Sequence, residues 1–305
     1  MIDSIQKYRV SGVKFSILAM DDRAFDCLNS LNIPNVQLTR IGDFMDQSFQ
    51  ELIPLRPFRE LCWTAASCFT RSIYASDSES DFIIYVDSDC YFFADILNLT
   101  GNWKEGANIF VHEHRYSPNR IAWVETSGIF NVGVVGFRQG SAEALACLDR
   151  WREQVLYSCE LKPDEGLCGD QGYLNEWPGL YAGLQIMNSA GEGAAPWNVE
   201  SLQARFHENR ILIGGQDLIF YHFHALELAI NKKIRILIST LALGYTIPRS
   251  IRQLVYRPYL RHLNRINKIF LKSGYTIHQI GLKELGVKQI IQGAPSKQRV
   301  IQLIS

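Results

Sequence analysis

The chain has no apolar run long enough to cross a bilayer, which takes about 20 residues. Its nearest approach, KIRILISTLALGYTI from Lys233 to Ile247, is too short and carries charge at its start. The first residues, MIDSIQKYRVSGVKFSILAM, alternate charge with apolar side chains, which does not match a secretory leader. Cysteine is sparse and scattered: Cys27, Cys62, Cys68, Cys90, Cys147, Cys159 and Cys168 are odd in number and include no C-x-x-C pair. That pattern argues against a disulfide framework or a zinc knuckle and fits a reducing, cytoplasmic setting. There is no G-x-x-x-x-G-K-[ST] loop, no G-x-G-x-x-G after the first expected strand and no G-x-S-x-G elbow. A nucleotide bound here would therefore need a metal to carry much of its diphosphate charge.

What is present is an ordinary globular composition, 305 residues with 47% hydrophobic content, enough for one large core. The formal net charge is zero, and nothing in it calls for a nucleic-acid partner. The charge is unevenly spread. Between Leu228 and Lys283 there are eleven Lys or Arg and no Asp or Glu, leaving 20 basic against 31 acidic residues elsewhere. An acidic body with a basic C-terminal quarter suggests a surface facing something anionic, such as phospholipid head groups; a solvated helix face is the plainer alternative. Residues 1–226 are read as the main domain and 227–305 as a basic, mainly helical extension. Pro258 can stand in the first turn of a helix ending at Lys272, with Arg257, Arg261, Arg265, Lys268 and Lys272 beside Leu260, Leu263, Ile266 and Phe270. Such a helix can lie on the inner face of an anionic membrane.

In the first half, FSILA before Met20, a helix over 24–31, a strand over 36–41 and a helix over 59–74 alternate. The strand Phe82–Val86 follows. Alternation of this kind predicts an α/β fold with a mostly parallel central sheet flanked by helices. The apolar strand stops at Asp87, Ser88 and Asp89. Ligands of open α/β sheets bind beyond the carboxyl ends of strands, and two carboxylates one residue apart suit a divalent cation carrying a diphosphate. Taken alone, a D-x-D is short and common, and Asp is also a good helix cap.

Further along, FNVGVVGFR (130–138) reads as a strand whose two glycines mark a bulge or a close approach. GLCGD leads into a short helix with Asp170 as its cap, ending at Pro178. YHFHA (221–225) ends another apolar strand, where His222 and His224 share a face and either can reach a metal at the D-x-D. Asn131, Asp170 and Gln171 have the donors and acceptors that a sugar's hydroxyls require, and Trp197 with Asn198 can add an aromatic platform. Singly, each of these is as readily a turn, a cap or a packed side chain.

In their order and spacing, IIYVDSDCYFF, FNVGVVGFR, GDQGYLNEWP, APWN and YHFH resemble the GT-A nucleotide-sugar glycosyltransferases of the glycogenin and bacterial lipopolysaccharide galactosyltransferase type. The resemblance is stronger still to their bacterial relatives in surface-polysaccharide synthesis, and covers about residues 15–225. It implies a GT-A fold and a nucleoside-diphosphate-sugar donor, a UDP-sugar first. Mn2+ or Mg2+ would sit on Asp87 and Asp89, with His222 ahead of His224 as the histidine ligand. The acceptor would be a saccharide or lipid-linked sugar, with anomeric configuration retained. The resemblance also places Ala19, Met20 and Asp21 at the nucleotide base, Arg71 (with Arg59 as competitor) at the diphosphate, and Asn131, Asp170 and Gln171 at the donor sugar or reaction centre. HFHALELAI departs from the family's H-x-x-G-x-x-K-P-W tail, so the lysine that normally helps neutralise the leaving group is missing. A sugar-phosphate nucleotidyltransferase would need a glycine-rich basic loop where this chain has AMDDRAF; a non-catalytic sugar-nucleotide binder or membrane-docked scaffold is the other alternative.

Overall fold

The computed structural model describes residues 1–305 except 10, 102, 104, 163–166, 232–235, 242, 278–281, 285–298 and 305. Gly166 of the GLCGD turn and Lys232, Lys233 and Arg235 of the basic segment thus lie outside the described residues. In chain order the first half runs α1 (Ile2–Gln6), β1 (Phe15–Ala19), α2 (Asp22–Ser30), β2 (Val36–Arg40), α3 (Gln47–Leu52), α4 (Phe58–Ser76), β3 (Phe82–Val86), β4 (Cys90–Phe92), α5 (Asn98–Gly101), β5 (Ile109–Glu113), α6 (Trp123–Ser127), β6 (Phe130–Arg138) and α7 (Ala142–Tyr157). The second half continues with β7 (Leu161–Lys162), β8 (Leu167–Cys168), α8 (Trp177–Leu180), β9 (Leu184–Met187), β10 (Glu192–Ala194), β11 (Ala204–His207), β12 (Arg210–Ile213), β13 (Gln216–Asp217), β14 (Phe220–His222), β15 (Leu226–Asn231), β16 (Ile236–Leu241), α9 (Arg249–Ile251), α10 (Arg257–Lys272), β17 (Lys283–Glu284) and β18 (Arg299–Ile304).

The α/β architecture with flanking helices is as expected, but the central sheet is mixed. Its order is β3-β6-β5-β9, and β6 runs antiparallel to both β3 and β5, while β5 and β9 are parallel, as are β1 and β2. The reason is the connection from Glu113 to Phe130. It holds only short helical turns, and an antiparallel return needs no long crossover. A strand covered on both sides is apolar throughout whichever way it runs, so FNVGVVGFR, buried from Phe130 to Phe137, does not reveal its direction. One side of this sheet packs on α7 through Trp151, Leu148 and Val155, joined by Trp177; the other packs around Phe92, Phe110 and Phe220.

The two glycines of β6 are explained by close approach. A β-carbon on Gly136 would fall 1.9 Å from the Phe110 ring, and one on Gly133 would fall 2.6 Å from Nδ1 of His222. The first makes room for the core. The second makes room for the site.

The C-terminal region contains the expected helix and also the sheet β17-β15-β16-β18, which the sequence reading did not assign. α9 and α10 form one continuous helix from Arg249, joined through a π turn at Arg252–Tyr256. Pro258 lacks an N–H and its ring crowds the carbonyl four residues back, and the wider turn just ahead of it relieves both. The apolar side of this helix's first turns is committed to the protein: Val255, Tyr256, Tyr259 and Leu260 are buried in one cluster with Tyr221, Phe223 and Tyr245, while Ile269 further along is exposed. Arg257, Arg261, Arg265, Lys268 and Lys272 are exposed. Among the described residues no helix is long and apolar enough to cross a membrane.

The C-terminal region is also anchored on a buried ion pair of the body, Arg120 to Glu200 at 2.9 Å, with side chains 9% and 8% exposed, because Thr246 N–H donates to Glu200 Oε1 at 2.9 Å. Arg120 further donates to the carbonyl of Gly244 at 3.1 Å and lies over the rings of Trp123 and Tyr245. Removing one partner of such a pair strands the other charge, at about 3–5 kcal/mol. Arg120→Met should therefore lower the unfolding free energy by that amount in urea titrations, and a loss below about 1 kcal/mol would show that the pair is not needed.

Candidate functional site

The site is built by strand register. β4 pairs antiparallel with β14, setting Cys90 opposite His222, so the residue before Cys90 lies beside the imidazole. The D-x-D turn is held by backbone bonds on both sides: Asp87 N–H donates to the Gly133 carbonyl at 2.8 Å, and Phe223 N–H donates to the Asp89 carbonyl at 3.0 Å. The outcome is a convergence of three side chains. His222 Nε2 is 3.0 Å from Asp89 Oδ1 and 3.7 Å from Asp87 Oδ2.

Charges in this corner are strongly coupled. Burial drives Asp87 up, the positive His222 pulls it down and Asp89 pushes it up again; the net direction is upward, and Tyr85 donates to its Oδ1 at 2.6 Å. For Asp89 burial also acts upward, but the charge and hydrogen bond of His222 outweigh it and the carboxyl ends below its ordinary range. His222 is the mirror case: burial lowers it, and Asp89 more than restores it. Asp170 is buried, and desolvation and then the Asp87 charge raise it well above the usual carboxylate range.

A divalent ion fits this donor set. Adjacent ligands of an octahedral ion with bonds of about 2.1 Å stand about 3 Å apart, and Asp89 Oδ1 and His222 Nε2 already do. Two carboxylates and one imidazole suit Mn2+ or Mg2+ better than a soft ion. Cys90 Sγ lies within 4.8 Å of the same atoms, but the thiol is fully buried and held well above its ordinary pKa by desolvation and the two aspartates. It packs beneath the carboxylates as a neutral group.

The other expected residues divide. His224 stands 6.0 Å ring to ring from His222, outside the converging group, and burial followed by the His222 charge lowers it to about 4. Ser88 is exposed at the tip of the turn. Ala19 ends β1 and is buried, Met20 packs against the cluster of Phe44 and Phe49, and Asp21 caps α2 by accepting from Ala24 N–H at 2.6 Å. Arg71 is engaged by Asp149 on α7. Arg59 instead lies over Trp63, whose ring abuts Gly169 beside Asp170. Asp170 is not a cap: the following 3-10 turn begins after Gln171, which makes no side-chain cap bond, and the Asp170 carbonyl accepts from Trp151 Nε1 at 3.0 Å.

Asn131 is buried, and Gln171 donates to the Ser127 carbonyl at 3.0 Å. Trp197 and Asn198 do not form an exposed platform. Both are buried and both donate to the His114 carbonyl, at 3.0 and 2.8 Å, with the indole edge-on to His222. Their role is to wall the histidine. Sequence reasoning missed His114, Tyr85 and Cys90; only their neighbourhood to the D-x-D and to Asn131 in the sheet brings them in.

Gly133 gives a direct test of this geometry. Gly133→Ala should push the His222 ring and Asn131 Oδ1 aside and weaken Mn2+ binding about 10–100-fold, as loss of ligand orientation does, while circular dichroism stays native. Unchanged Mn2+ affinity in electron paramagnetic resonance titrations would count against His222 as a ligand.

No protein-family model matches the chain. Two uncharacterized proteins of Bacillus subtilis (strain 168) are similar in sequence. YfnD is 26% identical over 252 residues, covering 82% of this chain and 79% of YfnD. YfnF is 24% identical over 260 residues, covering 83% and 86% respectively. Among solved structures, the chain is similar to mouse xyloside xylosyltransferase 1 in its apo form, with a TM-score of 0.48 and 11% identity, over 73% of this chain and 89% of that one. It is also similar to the galactosyltransferase LgtC in complex with donor and acceptor sugar analogues, with a TM-score of 0.44 and 13% identity, over 73% and 81%. A glycosyltransferase involved in glycosylation of the major capsid of PBCV-1 matches with a TM-score of 0.41 and 11% identity, over 70% and 93%. All three are glycosyltransferases, and no residue role is transferred from likenesses of this degree.

Proposed function

We propose that the protein is a metal-dependent glycosyltransferase that moves a sugar from a nucleoside-diphosphate donor, a UDP-sugar, to a hydroxyl of a saccharide or lipid-linked acceptor. We assign retention of anomeric configuration and a place in surface-polysaccharide or glycoconjugate synthesis. The observation that carries this reading is the meeting of Asp87, Asp89 and His222 beyond the carboxyl end of β3. Asp89 and His222, with Asp87, would hold Mn2+ or Mg2+. A divalent ion there supplies the positive charge that neutralises a departing diphosphate.

The chain's own groups do the rest. Asp170, whose carboxyl is raised by burial and then by the Asp87 charge, would meet a donor-sugar hydroxyl while Asp87 and Asp89 remain available to the cation. Tyr85 fixes the carboxylate of Asp87 through its hydroxyl. Arg59, which makes no ion pair among the described residues, is better placed than Arg71 to meet the diphosphate, because Arg71 is already matched to Asp149.

The same reading includes contact with an anionic membrane through the exposed basic face of α10. Since the apolar side of that helix's first turns is packed inside the protein, the contact rests chiefly on charge.

Two measurements follow. Screened against a panel of nucleotide sugars, the protein should hydrolyse or transfer one of them in Mn2+ and stop in EDTA, and Asp89→Ala should lower kcat/KM at least about 100-fold, about 2.7 kcal/mol of transition-state stabilisation. Nucleotide binding that ignores EDTA, with no turnover, would favour a non-catalytic binder. Vesicles rich in anionic lipid should retain the protein at low salt, and reversing Arg257, Arg261 and Lys268 to Glu should weaken retention at least about 100-fold, from about 1 kcal/mol per basic residue. Equal retention of both forms would remove the membrane contact.

A further inference from the structure

Asn131 stands among the expected donor-sugar contacts, yet its carboxamide has no bonding capacity left for a sugar. The Gly133 N–H lies 2.9 Å from Asn131 Oδ1, and a backbone N–H can only donate, so this one bond settles which end of the amide is oxygen. Consequences run outward on both sides. His222 Nδ1 is 3.1 Å from the same oxygen and must carry a hydrogen toward it. The nitrogen left facing Asp89 and Asp87, at 3.0 and 3.7 Å, is Nε2. On the other side Asn131 Nδ2 can only donate, so His114 Nε2 at 3.3 Å accepts, and Gln171 Oε1 at 3.2 Å takes the second hydrogen. His114 Nδ1 then holds that ring's hydrogen and gives it to the Gly128 carbonyl at 3.1 Å.

Every polar atom of Asn131 is thereby used twice, and the direction of each bond follows from a single backbone donor. The chain is also sealed. Asn131, His114 and His222 are all buried, with Tyr116 stacked on His114 at 4.7 Å and Trp197 edge-on to both histidines at 5.3 Å. Desolvation brings His114 down to about 3, so its ring is neutral and Nε2 is open to accept.

We propose that Asn131 and His114 are positioning residues: through them the Gly128 carbonyl and the Gly133 amide keep the hydrogen of His222 on Nδ1, so that Nε2, which shares a proton with Asp89 when no cation is bound, is the nitrogen that gives up its proton and ligates a cation held by Asp87 and Asp89. This rests on the metal-dependent reading above and reassigns Asn131 from sugar contact to ligand orientation. A carboxylate or carbonyl partner on the far ring nitrogen commonly orients a metal-binding histidine; here an amide does so, and a second histidine holds the amide.

The test has a spectroscopic arm and a binding arm. With 15N-histidine labelling and Mg2+, long-range 1H–15N spectra of the wild-type protein should show His114 and His222 both protonated on Nδ1 and bare on Nε2. In Mn2+ titrations followed by electron paramagnetic resonance, Asn131→Leu and His114→Leu should each bind about 10–100-fold more weakly. His114→Gln, whose side-chain oxygen can accept from Asn131 Nδ2, should stay within about threefold of wild type. If Asn131→Leu fails to fold, the wild-type spectra and the His114 pair decide. A His222 ring bare on Nδ1, or wild-type affinity in both leucine variants, would overturn this inference alone. A wild-type protein that takes up no Mn2+ would overturn it together with the metal-dependent reading.

Discussion

The antiparallel pairing of β4 with β14 is the constraint on which the rest of the site depends. It joins two segments more than a hundred residues apart, and its register places His222 opposite Cys90, so that Asp89 and the imidazole meet at 3.0 Å. A slip of one residue would turn His222 to the opposite face and bring Tyr221 or Phe223 into its place. The register is secured by its surroundings: Phe220 and Phe92 pack in one cluster, and Tyr221 and Phe223 in another.

Around that pairing, burial organises the electrostatics. Two part-exposed carboxylates meet a buried histidine, and desolvation opposes charge on each of the three. His222 and Asp89 offset it for each other, leaving Asp87 and Asp170 as the groups with raised pKa. A cation suits a corner of this kind, because like charges crowd there. The buried amide–histidine chain behind His222 adds no charge there. It adds direction.

Much of this was legible in the sequence because it is local. The strand Phe82–Val86 is bounded as its apolar run predicts, and the helix expected over 59–74 is α4, Phe58–Ser76. What stayed hidden depends on long-range pairing. The direction of β6 is invisible in a strand buried on both faces, and so is the sheet formed by β15 and β16. Arg71 and Arg59 look alike as spacings on one helix, and only the docking of α7 assigns Arg71 to Asp149. Asn131 reads as a sugar ligand because its chemistry allows it; that its four hydrogen-bonding positions are taken by Gly133, His222, His114 and Gln171 is visible only once those strands are assembled.

The central claim is that Asp87, Asp89 and His222 jointly hold a divalent ion against the diphosphate of a donor. Electron spin-echo modulation of the Mn2+-loaded protein with a nucleoside diphosphate tests it most directly, since it separates nitrogen from oxygen ligation at the ion. The account predicts one directly coordinated imidazole nitrogen that disappears in His222→Ala, together with phosphorus coupling from the nucleotide. Mn2+ bound through oxygens alone, or a nitrogen signal unaffected by that substitution, would contradict it.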